Sequence, residues 1–214
     1  MSVFNGLAEV AFQSFSCYLY ESLLVERDEA DFLPRLGNLT FNLVKSKAQV
    51  DALANSGFKL SPLNAEARSM LEQGALAGLL FVGKELASME WAAANERANR
   101  AINIYPLKID FSRKEAYASG VWTAPEFRRK GLHACVYFKL YDALRKNGIV
   151  TVKSIVATDN IAAQKAHQRF APQERVYATA RYLKILGMQI WTEEPLHQPS
   201  AIRRLERLPS LPDR

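Results

Sequence analysis

The segment Thr123-Ala-Pro-Glu-Phe-Arg-Arg-Lys-Gly-Leu-His-Ala134 runs from a strand pattern, through a proline turn and a basic glycine loop, into the most regular helical pattern of the chain. In that helix Leu132, Val136, Leu140 and Leu144 step by four, and Gly148 stands where a C-cap belongs. A helix N-terminus exposes unpaired N–H groups and a partial positive charge. Gly131 lets a ligand approach that backbone, and Arg128, Arg129 and Lys130 add charge at the same end. Cations at this end oppose the helix dipole, which argues against neutral decoration and for a pyrophosphate-like ligand. The segment alone leaves both readings open.

Working outward, Glu115 to Thr123 reads as a strand ended by Pro125, with Glu115, Tyr117, Ser119, Val121 and Thr123 on one alternating face. Beyond Gly148, Thr151 to Thr158 is a β-branched strand. Asp159 or Asn160 then caps a short helix reaching Phe170, and Arg175 to Trp191 is one long strand or a hairpin. Upstream, Leu76 to Val82 and Leu86 to Ala93 form a hairpin across Gly83-Lys84-Glu85. Ala94 to Arg100 reads as a polar loop, and Ala101 to Ile109 as a further strand or an extended excursion. Leu39 to Val44 is a short strand, followed by a helix stopped at Gly57 and another opened by Asn64 and ending near Gly74. From Val3 to Leu23 the apolar positions have helical spacing, so a docked helix is expected, covering the core or joining two copies; Phe15 to Tyr20 also alternates as a strand.

The 214 residues, 49% apolar and 23% charged, describe a folded chain able to bury one sizeable core. The expected division is a helical extension over 1–38, one domain over 39–195 and a basic Pro/Arg-rich tail over 196–214. Lys and Arg exceed Asp and Glu by 28 to 22, a net +6 that favours a polyanionic ligand, either a nucleotide cofactor or a nucleic acid. Cys17 and Cys135 stand far apart without a partner motif, which fits a reducing cytoplasm. His133, His167 and His197 are scattered and no metal site is expected. The N-terminus carries no Lys or Arg before Arg27, so no targeting leader is expected, and the apolar run Ala75 to Gly83 is too short to span a bilayer. Tyr137, Phe138 and Tyr141 read as core and helix surface rather than as a base-stacking platform. Neither a Walker lysine motif nor a three-glycine dinucleotide fingerprint is present.

The glycine loop resembles that of the GCN5-related N-acetyltransferase (GNAT) superfamily, Val-x-Pro-x-Tyr-Arg-x-x-Gly-x-Gly or Ala at the fourth strand and following helix. Asn160, His167 and Phe170 fall where that family has an Asn, a Tyr and a Phe after its fifth strand, and the order of elements matches over about Leu39 to Trp191. The departures are His133 at the second small position of the loop, Thr123 for the usual Val, and Arg169 for the Gly that often precedes Phe170.

The resemblance implies a mixed α/β (α+β) fold, a central mixed and mostly antiparallel sheet flanked by helices. It implies acetyl-CoA, or another acyl-CoA, in a V between the fourth and fifth strands, with its pyrophosphate on Arg128, Arg129, Lys130, Gly131, Leu132, His133 and Ala134. Backbone groups of Trp122 and Thr123 would hold the pantetheine, and Asn160 would add a contact. His133 would either point away from the loop or donate to a phosphate. An amine of a small molecule or peptide would attack directly. His167 would protonate the departing thiolate or order a water, and Glu115 would be the base; a surface or cap histidine and a solvated strand-end glutamate are the plainer readings of these two. Glu90, beside Trp91, is the second candidate base. A non-catalytic acyl-CoA-binding protein is the alternative within the fold, and a nucleic-acid-binding protein, suggested by the charge and the basic tail, the alternative outside it.

Overall fold

The computed structural model describes residues 12–185 and 188–196. The expected tail over 196–214, His197 and the first part of the expected helix over 3–23 fall wholly or largely outside them. The chain forms two compact units, Leu23–Lys153 and the pair of segments Met1–Ser22 and Ser154–Arg214.

In the larger unit the strands β2 (Leu39–Val44), β3 (Leu76–Val82), β4 (Glu85–Ala93) and β5 (Glu115–Thr123) lie side by side in that order, each antiparallel to the next. Helices α1 (Lys47–Asn55) and α2 (Ala65–Glu72) connect β2 to β3. Their starts are set by Ser46 and Asn64, whose side chains accept the N–H groups of Gln49 and Ala67. Both faces of β3 and β4 are buried, which is why β3 reads as an unbroken apolar run, while β4 buries Ser88 and Glu90 as well. Helix α4 (Leu132–Lys146) packs Leu132, Cys135 and Val136 onto Leu80 and Ala87. The approach is close at Gly78, where a Cβ would stand 3.3 Å from that of Leu140 and 3.2 Å from the Phe41 ring. On its other side α4 presents Phe138, which stacks on Phe32 at 4.7 Å.

Where a polar loop was expected, Glu96–Ile102 is helix α3. Asn95 caps it by accepting the Ala98 N–H at 2.9 Å, Glu96 suits its first turn, and Ala98 and Ile102 give it a narrow buried stripe. No strand follows. The chain runs irregularly to a short 3-10 turn at Phe111–Arg113, capped by Asp110.

In the smaller unit β1 (Phe12–Leu23), β6 (Thr151–Ala157, its first residues grouped with the larger unit), β7 (Glu174–Ile185) and β8 (Met188–Pro195) take the order β6-β1-β7-β8, and helix α5 spans Ile161–Gln168. The segment Arg175 to Trp191 is thus a hairpin of β7 and β8. The helix expected over residues 3–23 is, in its described part, strand β1, antiparallel to β7 from Phe12↔Ile185 to Ser22↔Glu174. A surface helix needs one apolar stripe, whereas Cys17, Leu19 and Tyr20 are all fully buried, as an interior strand requires of both its faces. No helix among the described residues is long and apolar enough to cross a membrane.

Cys17 shows the depth of this strand. Its thiol donates to the Ala180 carbonyl at 3.5 Å, and burial pushes it up from 9.0 to about 12. Because the folded thiol titrates above the unfolded one, its contribution to stability is complete below pH 9 and lost as pH rises through about 12. Urea midpoints are therefore expected to fall above pH 9, and less steeply in Cys17→Ala than in the parent chain. An equal fall in both would contradict the burial.

Candidate active site

Strand β5 leads into the loop through Ala124, which is buried, and a 3-10 turn at Pro125–Phe127. Arg129 and Gly131 both take left-handed backbone conformations, with φ of 64° and 81°. This double reversal turns the chain into α4, and residues 128–131 are exposed. No side chain caps the helix at Gly131, and its first backbone bond is the Cys135 N–H to the Gly131 carbonyl at 3.3 Å. The N–H groups of Leu132, His133 and Ala134 therefore form an uncapped anion site. The Leu132 and Ala134 side chains are buried and offer the site only their backbone. Arg128 folds back, its Nε donating to the Thr123 carbonyl at 3.2 Å, while the Lys130 ammonium lies 5.4 Å from the Phe127 ring centre. His133 lies edge-on to Tyr137, one turn along the helix, at 6.1 Å, and its Nε2 is enclosed.

The end of β5 is irregular in a way the alternation does not show. Ser88 pairs with Thr123 and Met89 with Trp122, but Trp91 pairs with Ser119, so β5 carries one extra residue there. Gly120, at φ 65°, absorbs it, and a Cβ at that point would stand 2.9 Å from the Trp91 ring. The bulge splits the expected common face. Tyr117 and Ser119 lie opposite Ala93 and Trp91, while Thr123 shares its face with Ser88. Gly120 and Val121 are exposed and Trp122 and Thr123 half-buried. The Ser88 hydroxyl is within 3.0 Å of both the Trp122 carbonyl and the Thr123 hydroxyl. Glu90, the second candidate base, is 2% exposed and pairs with Gly78, on the face that α4 covers.

Glu115 lies at the far end of β5, roughly 25 Å from Thr123 at the usual strand rise. It is not a solvated strand-end residue: it is 6% exposed, and its Oε2 accepts the Asp110 N–H at 2.8 Å and the Lys153 ammonium at 2.7 Å. Lys153 was missed by the sequence reading, although a single cation in the β-branched run Thr151 to Ala157 was the available signal.

The smaller unit holds Asn160 and His167. The Asn160 side chain caps α5 by accepting the Ala163 N–H at 3.1 Å. His167 is neither a surface nor a cap residue: it is 4% exposed, its Nδ1 lies 2.9 Å from Oε1 of the fully buried Glu174, and the Ser22 hydroxyl donates to the same oxygen. The Tyr20 ring lies 4.4 Å from the imidazole. Burial, and after it the Glu174 charge, hold the Tyr20 phenol well above its ordinary range. Its Oη is enclosed and makes no hydrogen bond among the described residues. Tyr20→Phe should therefore raise stability, by about 1 kcal/mol in urea denaturation, because it removes a buried hydroxyl that nothing satisfies. A loss of that size would show that the hydroxyl is bonded.

Among the described residues no group of three His, Cys, Asp or Glu could hold a metal ion. The chemistry these residues offer is anion binding at the loop and proton transfer at Glu115 and at the His167–Glu174 pair.

Residues 82–171, from the last residue of β3 to just beyond α5, match the acetyltransferase (GNAT) family. No curated protein matches the sequence. Among solved structures, a GCN5-related glucosamine N-acetyltransferase region of a fungal multi-domain β-N-acetylglucosaminidase superposes with a TM-score of 0.53 at 10% identity, over 83% of this chain and 22% of that one. A GCN5-related N-acetyltransferase from Sphaerobacter thermophilus gives 0.49 at 10% identity, over 86% and 56%. A GNAT-family acetyltransferase from Colwellia psychrerythraea gives 0.48 at 16% identity, over 85% and 60%. This chain thus spans less than two thirds of the length of either bacterial protein.

Proposed function

We propose, with the match of residues 82–171 to the GNAT acetyltransferase family and the fold of its solved structures as premise, that this protein transfers an acyl group, in the first instance acetyl, from acyl-CoA to a primary amine. The observation that carries the reading is the uncapped start of α4 behind an exposed basic loop with two left-handed residues. It fits a pyrophosphate, since the N–H groups of Leu132, His133 and Ala134 have no side-chain cap and Arg129 and Lys130 stand exposed beside them. His133 contributes its N–H, because its ring lies along the helix against Tyr137. Trp122 and Thr123, beyond the bulge, line the path of the pantetheine.

Acetyl-CoA supplies an activated thioester; the side chains here supply proton transfers. The acceptor arrives as an ammonium and must lose one proton before its nitrogen bonds to the acyl carbon, and a second, to water, as the carbon–sulfur bond breaks. Glu115 takes the first proton through water. Lys153 and the Asp110 N–H both hold Oε2, which leaves Oε1 as the carboxylate's remaining acceptor. To His167, on the resemblance, we assign the proton of the departing sulfur: Glu174 holds Nδ1, and Nε2 passes on a proton that it takes up from water. A thiol ionising near 8.5 needs only modest help of this kind. We assign the base to Glu115 rather than Glu90 because Glu90 lies beneath α4.

Two measurements test this. CoA at about 100 times its dissociation constant is expected to stabilise the protein by roughly 2.7 kcal/mol, seen as a raised Tm, while a 20-nucleotide oligonucleotide gives no shift. The reverse result would favour the nucleic-acid reading. With an acceptor in hand, Glu115→Gln should slow transfer about 100-fold or more near neutral pH, with the loss shrinking as pH rises and the amine deprotonates unaided. A loss in Glu90→Gln instead would move the base to β4. No thiol release with any amine, beside intact CoA binding, would leave a non-catalytic acyl-CoA-binding protein.

A further inference from the structure

The helix α3 and the irregular segment after it build a cleft of about 850 Å³ that shares Glu115 and Lys153 with the transfer reaction. Glu115 and Lys153 close one end, and α3 and residues 103–113 form the walls. The Ser119 hydroxyl donates to the Ile102 carbonyl at 3.5 Å, which ties the end of α3 to the strand one residue before the Gly120 bulge.

Its polar groups are of two kinds. Asn99 is a lining residue of the cleft, and its Oδ1 is enclosed and accepts no hydrogen bond among the described residues. With Oε1 of Glu115 it makes two acceptors in search of N–H donors, the requirement of an ammonium group. Arg100, Lys108 and Arg113 also line the cleft, are exposed, and make no ion pair among the described residues. Of the carboxylates that could neutralise them, Glu115 is already paired with Lys153, while Asp110 keeps its charge near Arg113. Asp110 accepts the N–H and hydroxyl of Ser112 and the N–H of Arg113, and the Ser112 hydroxyl above all holds its carboxyl below the usual range. Glu96 and Asp110 therefore stand against three guanidinium and ammonium groups, an excess of one positive charge.

We propose that this cleft binds the acceptor, and that the acceptor is a primary amine carrying a carboxylate, as in a free acidic amino acid or the N-terminus of an acidic peptide. The ammonium end meets Asn99 and Glu115, and the carboxylate end meets Arg100 and Arg113. That the bound amine is acylated rests on the acyltransferase reading; that it binds does not.

Calorimetry with four probes tests the binding: aspartate, the tripeptide Asp-Glu-Gly, putrescine, which has amines and no carboxylate, and succinate, which has carboxylates and no amine. Aspartate or the tripeptide should bind at least tenfold more tightly than putrescine and succinate. A tripeptide advantage would identify a peptide acceptor, and equal affinity a free amino acid. The variant carrying both Arg100→Glu and Arg113→Glu should lose tenfold or more of that affinity, and Asn99→Leu several-fold; all three side chains are on the cleft wall and away from the loop. Equal binding of all four probes, binding of none, or indifference to the charge reversal would overturn the proposal. CoA titrated into the same samples separates the two readings. Its Kd should be unchanged by the cleft variants, and absence of CoA binding beside intact amine binding would remove the acyltransferase reading while the cleft assignment stands.

Discussion

Gly131→Glu is expected to abolish CoA binding, weakening it more than 100-fold in calorimetry while the circular dichroism spectrum stays unchanged. Two effects act together. Gly131 sits at φ 81°, where a side chain costs about 1–2 kcal/mol, so the loop is strained away from its present shape. The new carboxylate also stands at the helix start and takes the N–H groups of the first turn for itself, as a capping residue does. An incoming pyrophosphate then meets a like charge and finds its donors occupied. Gly131→Ala separates the two: it carries the strain without the charge and should cost less than about tenfold, since 1.4 kcal/mol is one decade. Unchanged affinity in a folded Gly131→Glu protein would remove the loop from the cofactor site.

His167→Phe should destabilise the protein by about 3–5 kcal/mol, a large share of the roughly 5–15 kcal/mol typical of a domain. The phenyl ring can still lie against Tyr20, but it leaves Glu174, which is fully buried, short of a partner. Adding Glu174→Gln should recover most of the loss, because the amide still accepts the Ser22 hydroxyl without holding an uncompensated charge. The double variant reads catalysis apart from unfolding. Thiol release should be at least about 100-fold slower than in the parent and should stay slow at high pH, where the departing thiolate still lacks a donor. A loss under about threefold would make the His167–Glu174 pair structural only.

The parts of this molecule that the sequence discloses are those written in local signals. The proline turn before α4, the four-residue step of its apolar side chains and the Asn160 cap each act within a few residues, and each element stands where its signal does. The α3 cap Asn95-Glu96 is equally local, but the buried stripe behind it, Ala98 and Ile102, is too narrow to mark a helix by its apolar spacing. The bulge at Gly120 needed information from β4: a glycine inside a strand suggests an irregularity, yet only the partner register says that one residue is extra and that Thr123 changes face. Glu174 and Ser22 lie 152 residues apart, and nothing near either names the other as its partner. That pair, and with it the burial of His167, depends on the register of β1 on β7.

The same register sets a schedule for synthesis. Cys17 pairs with Ala180, so β1 leaves the ribosome well before the strand it joins. At about 5–20 residues per second, β1 waits on the order of 10–30 s with Phe15, Tyr18 and Tyr20 unsheltered. In that interval the β7 of another copy, completed earlier, is as good a template as its own. Exchange of β1 between two chains would reproduce every contact of the smaller unit and yield a swapped dimer. The fraction of dimer should therefore rise with expression rate and persist on dilution of the folded protein.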